Sequence, residues 1–185
     1  MSTPLPEPLV LDRVPSPIGA MLLVADGEER LRALDWEDYE PRMRRLLRLH
    51  YGDRAVLRNG RTPPSVLSRL DAYFAGDLPA LDGIPVATGG TQFQRAVWAA
   101  LRQIRPGQTV SYGALAGRIG RPAAVRAVGM ANGANPISIV VPCHRVIGAD
   151  ASLTGYGGGL ERKRWLLAHE GVELAPGTDR SRPAA

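Results

Sequence analysis

Cysteine is almost missing from this 185-residue sequence. Cys143 stands alone, so the chain can form no disulfide within itself, and a zinc site built on several thiolates is excluded. Lysine is as scarce: Lys163 is the single lysine among 23 basic residues, the rest being arginine. No apolar run approaches the roughly 20 residues that a membrane-spanning helix needs. The N-terminus, Met1-Ser-Thr-Pro-Leu-Pro-Glu-Pro8, has no basic stretch leading into an apolar one, so no secretory signal is expected. Together these absences predict a cytoplasmic protein with no membrane partner. The remainder, 44% hydrophobic and 22% charged, suffices for one ordinary domain or two small ones.

The formal net charge of +5 is unevenly spread. Residues 1–90 carry 11 arginines against 13 carboxylates, a balance of −2, and residues 91–185 carry 12 basic residues against 5 carboxylates, a balance of +7. A basic half suits a polyanionic partner such as nucleic acid. An ordinary arginine-rich surface explains it equally well, and charge alone does not separate the two.

Apolar patterning divides the chain in the same place. Leu9–Val14, Ala20–Ala25 and Leu31–Trp36 read as strands, and Pro41–Tyr51 and Pro64–Phe74 as helices that open on proline. The stretch from Gly76 to Gly90 reads as a linker. Beyond it, Thr91 and Gln94 are spaced as a capping box, and Phe93, Val97, Ala100, Leu101 and Ile104 follow at helical spacing. Ser111 is placed to cap a short helix, Tyr112–Ile119. Gly120-Arg-Pro122 then turns the chain into a second helix, Ala123–Asn132, the pattern of a helix-turn-helix. Ser138–Val141 reads as a buried strand, Gly155–Gly159 as a glycine-rich loop, and Glu161–His169 as a last helix. The expected class is α+β: an N-terminal α/β domain over 1–88, a mostly helical domain over 89–173 and a disordered tail over 174–185. No internal repeat is evident.

A lone cysteine is more often an inert core residue than a reactive one. Cys143 follows an apolar run, precedes a glycine-containing segment and has His144 and Arg145 beside it, which can supply a base and positive charge. Adjacent residues of a strand face opposite ways, so His144 serves the sulfur only if the backbone turns sharply near Pro142. The residues alone thus support a Cys–His pair and specify no reaction.

The segment Ile139-Val-Val-Pro-Cys-His-Arg-Val146 resembles the active-site signature of the O6-alkylguanine-DNA alkyltransferases. The likeness extends upstream through Val110-Ser-Tyr-Gly-Ala-Leu-Ala116, Ala124-Val-Arg-Ala-Val-Gly129 and Asn132-Gly-Ala-Asn-Pro136. Downstream it takes in Leu153-Thr-Gly-Tyr-Gly-Gly-Gly-Leu160 and Trp165-Leu-Leu-Ala-His-Glu-Gly171. It covers about Thr91 to Gly171. Before that it is looser, through Ser16-Pro-Ile-Gly19 and Leu70-Asp-Ala-Tyr-Phe-Ala-Gly76.

The resemblance implies a ribonuclease H-like N-terminal domain and a winged-helix-like C-terminal one. The implied reaction is a single, irreversible transfer of an alkyl group from O6-alkylguanine in DNA to Cys143, without metal or cofactor; whether O4-alkylthymine also serves stays open. It makes His144 the base acting through water, Glu170 its orienting carboxylate and Asn135 the pin of the turn before the reactive segment. Arg126 becomes a finger entering the base stack, Tyr112 a contact to the flipped nucleotide, and Gln94, Gly113 and Arg121 backbone contacts. Val146, Tyr156, Gly157 and Gly158 are placed around the base, with Gly157 standing where several relatives carry a hydroxyl. Double-stranded DNA bound through the minor groove, with base flipping, is the implied partner of a monomer, and cooperativity on DNA stays open.

Three other readings compete. A non-catalytic lesion binder of the alkyltransferase-like kind would have tryptophan in place of Cys143. A plain helix-turn-helix regulator would not need Cys143-His144 or the glycine-rich loop. A cysteine hydrolase would turn over repeatedly.

Overall fold

The computed structural model describes residues 9–174 and 176, and the expectation of a disordered tail falls almost wholly outside them. Two compact units divide the chain, Met1–Thr91 with Pro136–Val140, and Gln92–Asn135 with Val141–Ala185. No helix among the described residues is long and apolar enough to cross a membrane.

In the first unit, strands β1 (Leu9–Val14), β2 (Met21–Ala25) and β3 (Leu31–Trp36) form an antiparallel meander. A short strand β4 (Leu57–Asn59) adds in parallel to β1, giving the order β3-β2-β1-β4. All five residues of β2 are buried, so its unbroken apolar run reflects cover on both faces. Helix α1 (Glu40–Tyr51) buries Met43 and Leu47 in one cluster with Leu9, Leu22, Val24 and Ala33. Helix α2 (Pro64–Phe74) starts on proline, where a missing N–H costs nothing. Strand β4 was not foreseen, because three residues with one apolar side chain carry no periodicity. The expected linker is also more structured than its glycines suggest. Leu78–Gly83 forms a 3₁₀ helix that buries Ala80 and Leu81, and Leu31 then exchanges backbone hydrogen bonds with Pro85 and Ala87 at the sheet edge.

The second unit is mostly helical. Helix α3 (Gln92–Leu101) buries Val97, Trp98 and Leu101, and the Trp98 indole N–H donates to the Ala131 carbonyl at 2.8 Å. The two-residue strands β5 (Val110–Ser111) and β6 (Val146–Ile147) pair in parallel. Ser111 caps α4 (Tyr112–Arg118) by accepting from the Ala114 N–H at 3.1 Å. Helix α4 closes on Gly120 at φ +68°, with Arg121 N–H on the Ala116 carbonyl and Gly120 N–H on Gly117. That pair of bonds is a Schellman turn, and its left-handed residue favours glycine. The turn leads into α5 (Val125–Gly133), completing the helix-turn-helix, and α6 (Leu160–His169) is the last helix.

The expected strand Ser138–Val141 does not form. The segment is fully buried, but Val140 N–H donates to the Ser138 carbonyl at 2.8 Å, with Ile139 at φ +68°. A second three-residue turn follows, Cys143 N–H donating to the Val141 carbonyl at 2.8 Å around Pro142. A β-branched residue at positive φ is a backbone outlier, held by its surroundings at a cost of about 1–3 kcal/mol. The apolar run therefore reported burial: Ile137 makes an isolated parallel bridge to Leu34, with Ser138 N–H on the Leu34 carbonyl at 2.8 Å, and turns follow instead of a continued ladder.

Candidate active site

Cys143 begins a three-residue 3₁₀ turn, Cys143–Arg145, in which all three side chains are buried. This is the sharp backbone change that a cooperating Cys–His pair requires. Asn135 sits inside the second unit, and its Nδ2 donates to the Val141 carbonyl at 2.7 Å, two residues before the thiol. That bond ties the end of the preceding segment to the backbone that leads into Cys143.

Behind the cysteine lies a closed charge cluster. His144 Nε2 is 2.8 Å from Glu170 Oε1, and both side chains are fully inaccessible. Arg145 grips the same carboxylate with Nε on Oε2 at 2.8 Å and Nη2 on Oε1 at 2.9 Å, and also donates to the Ile104 carbonyl. Burial opposes charge on Glu170, but His144 and Arg145 outweigh it and hold the carboxyl well below the usual carboxylate range. For His144, burial is the largest influence and, with Arg145 and Lys163 nearby, lowers the imidazole despite Glu170. The consistent state is a neutral imidazole donating Nε2–H to an ionised Glu170. This tautomer leaves Nδ1 as a lone-pair acceptor, and that atom is buried with no hydrogen-bond partner. Gly107, at φ +79°, supports the carboxylate residue from behind, since a Cβ there would lie 3.1 Å from the Glu170 carbonyl oxygen.

In front of the cysteine is a cavity of about 190 Å³ lined by Tyr112, Asn132, Cys143, Tyr156 and four glycines, Gly157 among them. A cavity of roughly 150 Å³ accepts a benzene ring, so the space suits one ring system and not a large cofactor. Tyr112 Oη donates to the Thr154 carbonyl at 3.2 Å and accepts from Thr154 Oγ1 at 3.3 Å, tying the start of α4 to the glycine-rich loop. The Tyr156 ring meets that of His144 edge-on, centroids 6.5 Å apart.

The other expected site residues lie apart from the cavity. Val146 is wholly buried with its carbonyl on Lys163, and Gly158 is buried with its carbonyl on Arg162. Gln94 is half-buried on α3, while Gly113 on α4, Arg121 in the turn and Arg126 on α5 are exposed.

Lys163 was overlooked in the sequence. It is fully buried on α6, and its Nζ donates to the carbonyls of Val146 at 2.6 Å, Thr154 at 3.1 Å and Gly155 at 3.3 Å. Burial pushes the ammonium down to about 8, and negative charge on Cys143 works against that shift. The coupling is mutual, so the Lys163 charge favours thiolate. The clue was compositional: one lysine in a chain that otherwise uses arginine for every basic position.

Comparison with known proteins identifies the family. Residues 92–172 match the model of the 6-O-methylguanine DNA methyltransferase DNA-binding domain, and residues 12–88 match the ribonuclease-like domain of the same family. A methylated-DNA–protein-cysteine methyltransferase of Salmonella typhimurium is 55% identical over 167 residues, covering 90% of this chain and 98% of that protein. One from Mycobacterium tuberculosis is 47% identical over 159 residues, covering 85% and 89%. Among solved structures, that of Mycobacterium tuberculosis OGT in complex with DNA superposes with a TM-score of 0.73 at 41% identity, covering 87% of this chain and 92% of that one. An O6-methylguanine-DNA methyltransferase from Pyrococcus kodakaraensis superposes at 0.68 with 27% identity, covering 89% and 100%. Both halves match, over nearly the whole length of these relatives: the chain belongs to the 6-O-methylguanine DNA methyltransferase family.

Proposed function

We propose that this chain repairs DNA by direct reversal, moving the alkyl group of an O6-alkylguanine onto Cys143 once per molecule. The observation that carries the reading is the buried His144–Glu170 pair directly behind the only thiol, with an acceptor nitrogen left over. His144 Nδ1 takes the Cys143 proton through a water, and the ionised Glu170 steadies the imidazolium that results. The thiolate attacks the alkyl carbon, a C–S bond forms and the C–O6 bond breaks. Its electron pair passes to the purine, which takes up a proton and leaves as ordinary guanine with N1–H. Displacement at saturated carbon rewards a soft nucleophile, and thiolate is the strongest that side chains supply. The product is a thioether, and with no second cysteine in the chain no thiol here can regenerate the first.

A base within a duplex hides O6, so the nucleotide is flipped into the cavity. The exposed Arg126 of α5 fills the vacated stack, Arg121, Gly113 and Gln94 meet the backbone, and the helix-turn-helix lies in the minor groove. The protein acts as a monomer in the cytoplasm.

Intact-mass measurement after incubation with an O6-methylguanine duplex tests the reaction. One methyl on Cys143 is expected, and none on the Cys143→Ala variant; binding without transfer, or turnover beyond one equivalent, overturns the reading. In the same assay Arg126→Ala should slow repair of the duplex at least about ten-fold more than reaction with free O6-benzylguanine. Equal slowing on both removes the finger role.

A further inference from the structure

Helix α5 buries Val128 and Ala131 and turns Arg126, Ala127, Met130 and Gly133 outward. Met130 stands four residues after Arg126, so the two side chains share one face, and a helical methionine leans back toward the turn before it. Its side chain is 78% exposed. The helix neighbours on either side, Ala127 and Gly133, are too small to shield it, and a Cβ at Gly133 would meet nothing within 4 Å. Val125 is exposed as well, so two of the four large apolar side chains that the described residues expose bracket Arg126 on this one helix.

A single exposed apolar residue is ordinary on a protein surface. The setting of this one is not. From residue 83 to residue 149 the sequence holds no aspartate or glutamate and seven arginines. Three of them, Arg118 at the end of α4, Arg121 in the turn and Arg126, are exposed. Such a surface draws in a polyanion and has no local carboxylate to repel it. Once a duplex is seated there, Met130 meets the apolar parts that a groove offers, the deoxyribose rings and base edges. Methionine is among the side chains that serve as apolar wedges in the minor groove.

Met130 also differs from the other sulfur-bearing side chains. Met21 and Met43 are 1% exposed and Cys143 is buried in its cavity wall, which leaves Met130 as the freely accessible sulfur among the described residues. A peroxide passes one oxygen atom to such a thioether. The O–O bond breaks, an S–O bond forms, the sulfur is oxidised, and the reduced peroxide leaves as water or an alcohol. The sulfoxide is polar where the thioether was apolar, and sulfoxide reductases reverse it.

We propose that Met130 is an apolar contact between the recognition helix and duplex DNA, and that its oxidation to the sulfoxide reversibly lowers repair of the duplex. This rests on the alkyl-transfer reading above and adds a modification site outside the cavity. Met130 takes no part in moving the alkyl group; it helps hold the duplex that carries the lesion.

The test measures repair of an O6-methylguanine duplex beside reaction with free O6-benzylguanine, with the duplex below saturation. The ratio of the two rates then isolates the contact between helix and duplex. In Met130→Gln the ratio should fall roughly five- to twenty-fold, the loss expected when one apolar side chain is no longer buried. In Met130→Leu it should stay within about three-fold of wild type. The slope of duplex affinity against salt should be unchanged in Met130→Gln, because a methionine releases no counterions, whereas Arg121→Ala should flatten it by about 1. Wild type treated with dilute hydrogen peroxide should gain one oxygen on Met130 by peptide mass and lose the ratio to the same extent as Met130→Gln. Incubation with methionine sulfoxide reductases for both epimers should restore it. Thiol lost to peroxide lowers both rates together and cancels in the ratio. A Met130→Gln ratio equal to that of wild type overturns the contact. An unoxidised Met130, oxygen on Met130 with no fall in the ratio, or an equal fall in peroxide-treated Met130→Leu overturns the role of oxidation. Absence of a methyl on Cys143 of untreated wild type after incubation with the duplex would instead sink the alkyl-transfer reading itself.

Discussion

Each unit of this chain holds a cavity of about 190 Å³, and only one of them is equipped for chemistry. The cavity of the first unit is bordered by Arg44, Leu47, Arg48 and Leu57, in a unit whose buried carboxylates are each matched by arginine. Asp26 accepts from Arg32 at 2.6 Å and Arg30 at 3.0 Å, and Asp35 pairs with Arg42. The cavity of the second unit has the thiol and Asn132 in its wall, and an unmatched His144 nitrogen lies among the buried atoms of the same unit. Volume is therefore no guide here. What separates the two is what their walls carry: a thiol with tyrosines and an asparagine in the second, arginines and apolar side chains in the first.

The largest effect should come from treating the two kinds of carboxylate alike. Glu170→Gln leaves the buried Arg145 without its counter-charge and should cost roughly 3–5 kcal/mol of stability. It should also slow methyl transfer by about 10²–10⁴-fold, because the neutral amide no longer enforces the Nε2–H tautomer of His144. Asp26→Asn in the first unit should cost up to about 3 kcal/mol, less because Arg30 reaches solvent, and leave the transfer rate of the folded protein within two-fold. Both carboxylates are held below their ordinary range, so their stabilisation is complete above the unfolded value and lost as the pH falls. Urea denaturation at pH 7 and at pH 3.5 should show each variant's deficit shrinking below about pH 4.3. Similar transfer losses in the two variants would erase the distinction between the units.

A smaller effect sharpens the role of the buried lysine. Lys163 titrates at about 8, so above that pH it loses the charge that favours thiolate, and two amine hydrogens must serve three carbonyls. Wild-type transfer should therefore fall above about pH 8, although an isolated thiol would become more reactive there. Lys163→Met should be roughly ten- to hundred-fold slower at pH 7.5 and should rise with pH instead of falling. Rates between pH 6 and 10 settle the matter, and a falling limb retained in the variant would remove Lys163 from the account.

The contrast between the units also explains what was readable in the sequence. The strands Leu9–Val14 and Leu31–Trp36, the helices and the Ser111 cap follow from local pattern, and they form. The three-residue strand Leu57–Asn59 and the turns around Ile139 do not, since both depend on distant partners or on strain that propensity scales resist. Cys143 and His144 announce themselves by adjacency. Glu170 lies 26 residues from His144 and was reachable only through family resemblance. Met130 fell between two quoted motifs and was given no role. Its exposure depends on what fails to pack nearby, which no sequence pattern records.

The smallest expected effect belongs to the first cavity. Arg44 pairs with Glu40 at 2.6 Å, but the two side chains are 46% and 36% exposed, so solvent and salt screen the interaction. Arg44→Ala and Arg48→Ala should each change stability by no more than about 0.5 kcal/mol. Reaction with free O6-benzylguanine should stay within two-fold of wild type, since neither arginine borders Cys143. The duplex is the informative substrate. If either variant slowed repair of the duplex while sparing the free base, the first cavity would be meeting the phosphate backbone. The loss should then shrink as salt rises, because fewer counterions are released by a site that has one contact less. A loss on neither substrate leaves the first unit with no part in the transfer chemistry, and confines that chemistry to the cavity with the thiol in its wall.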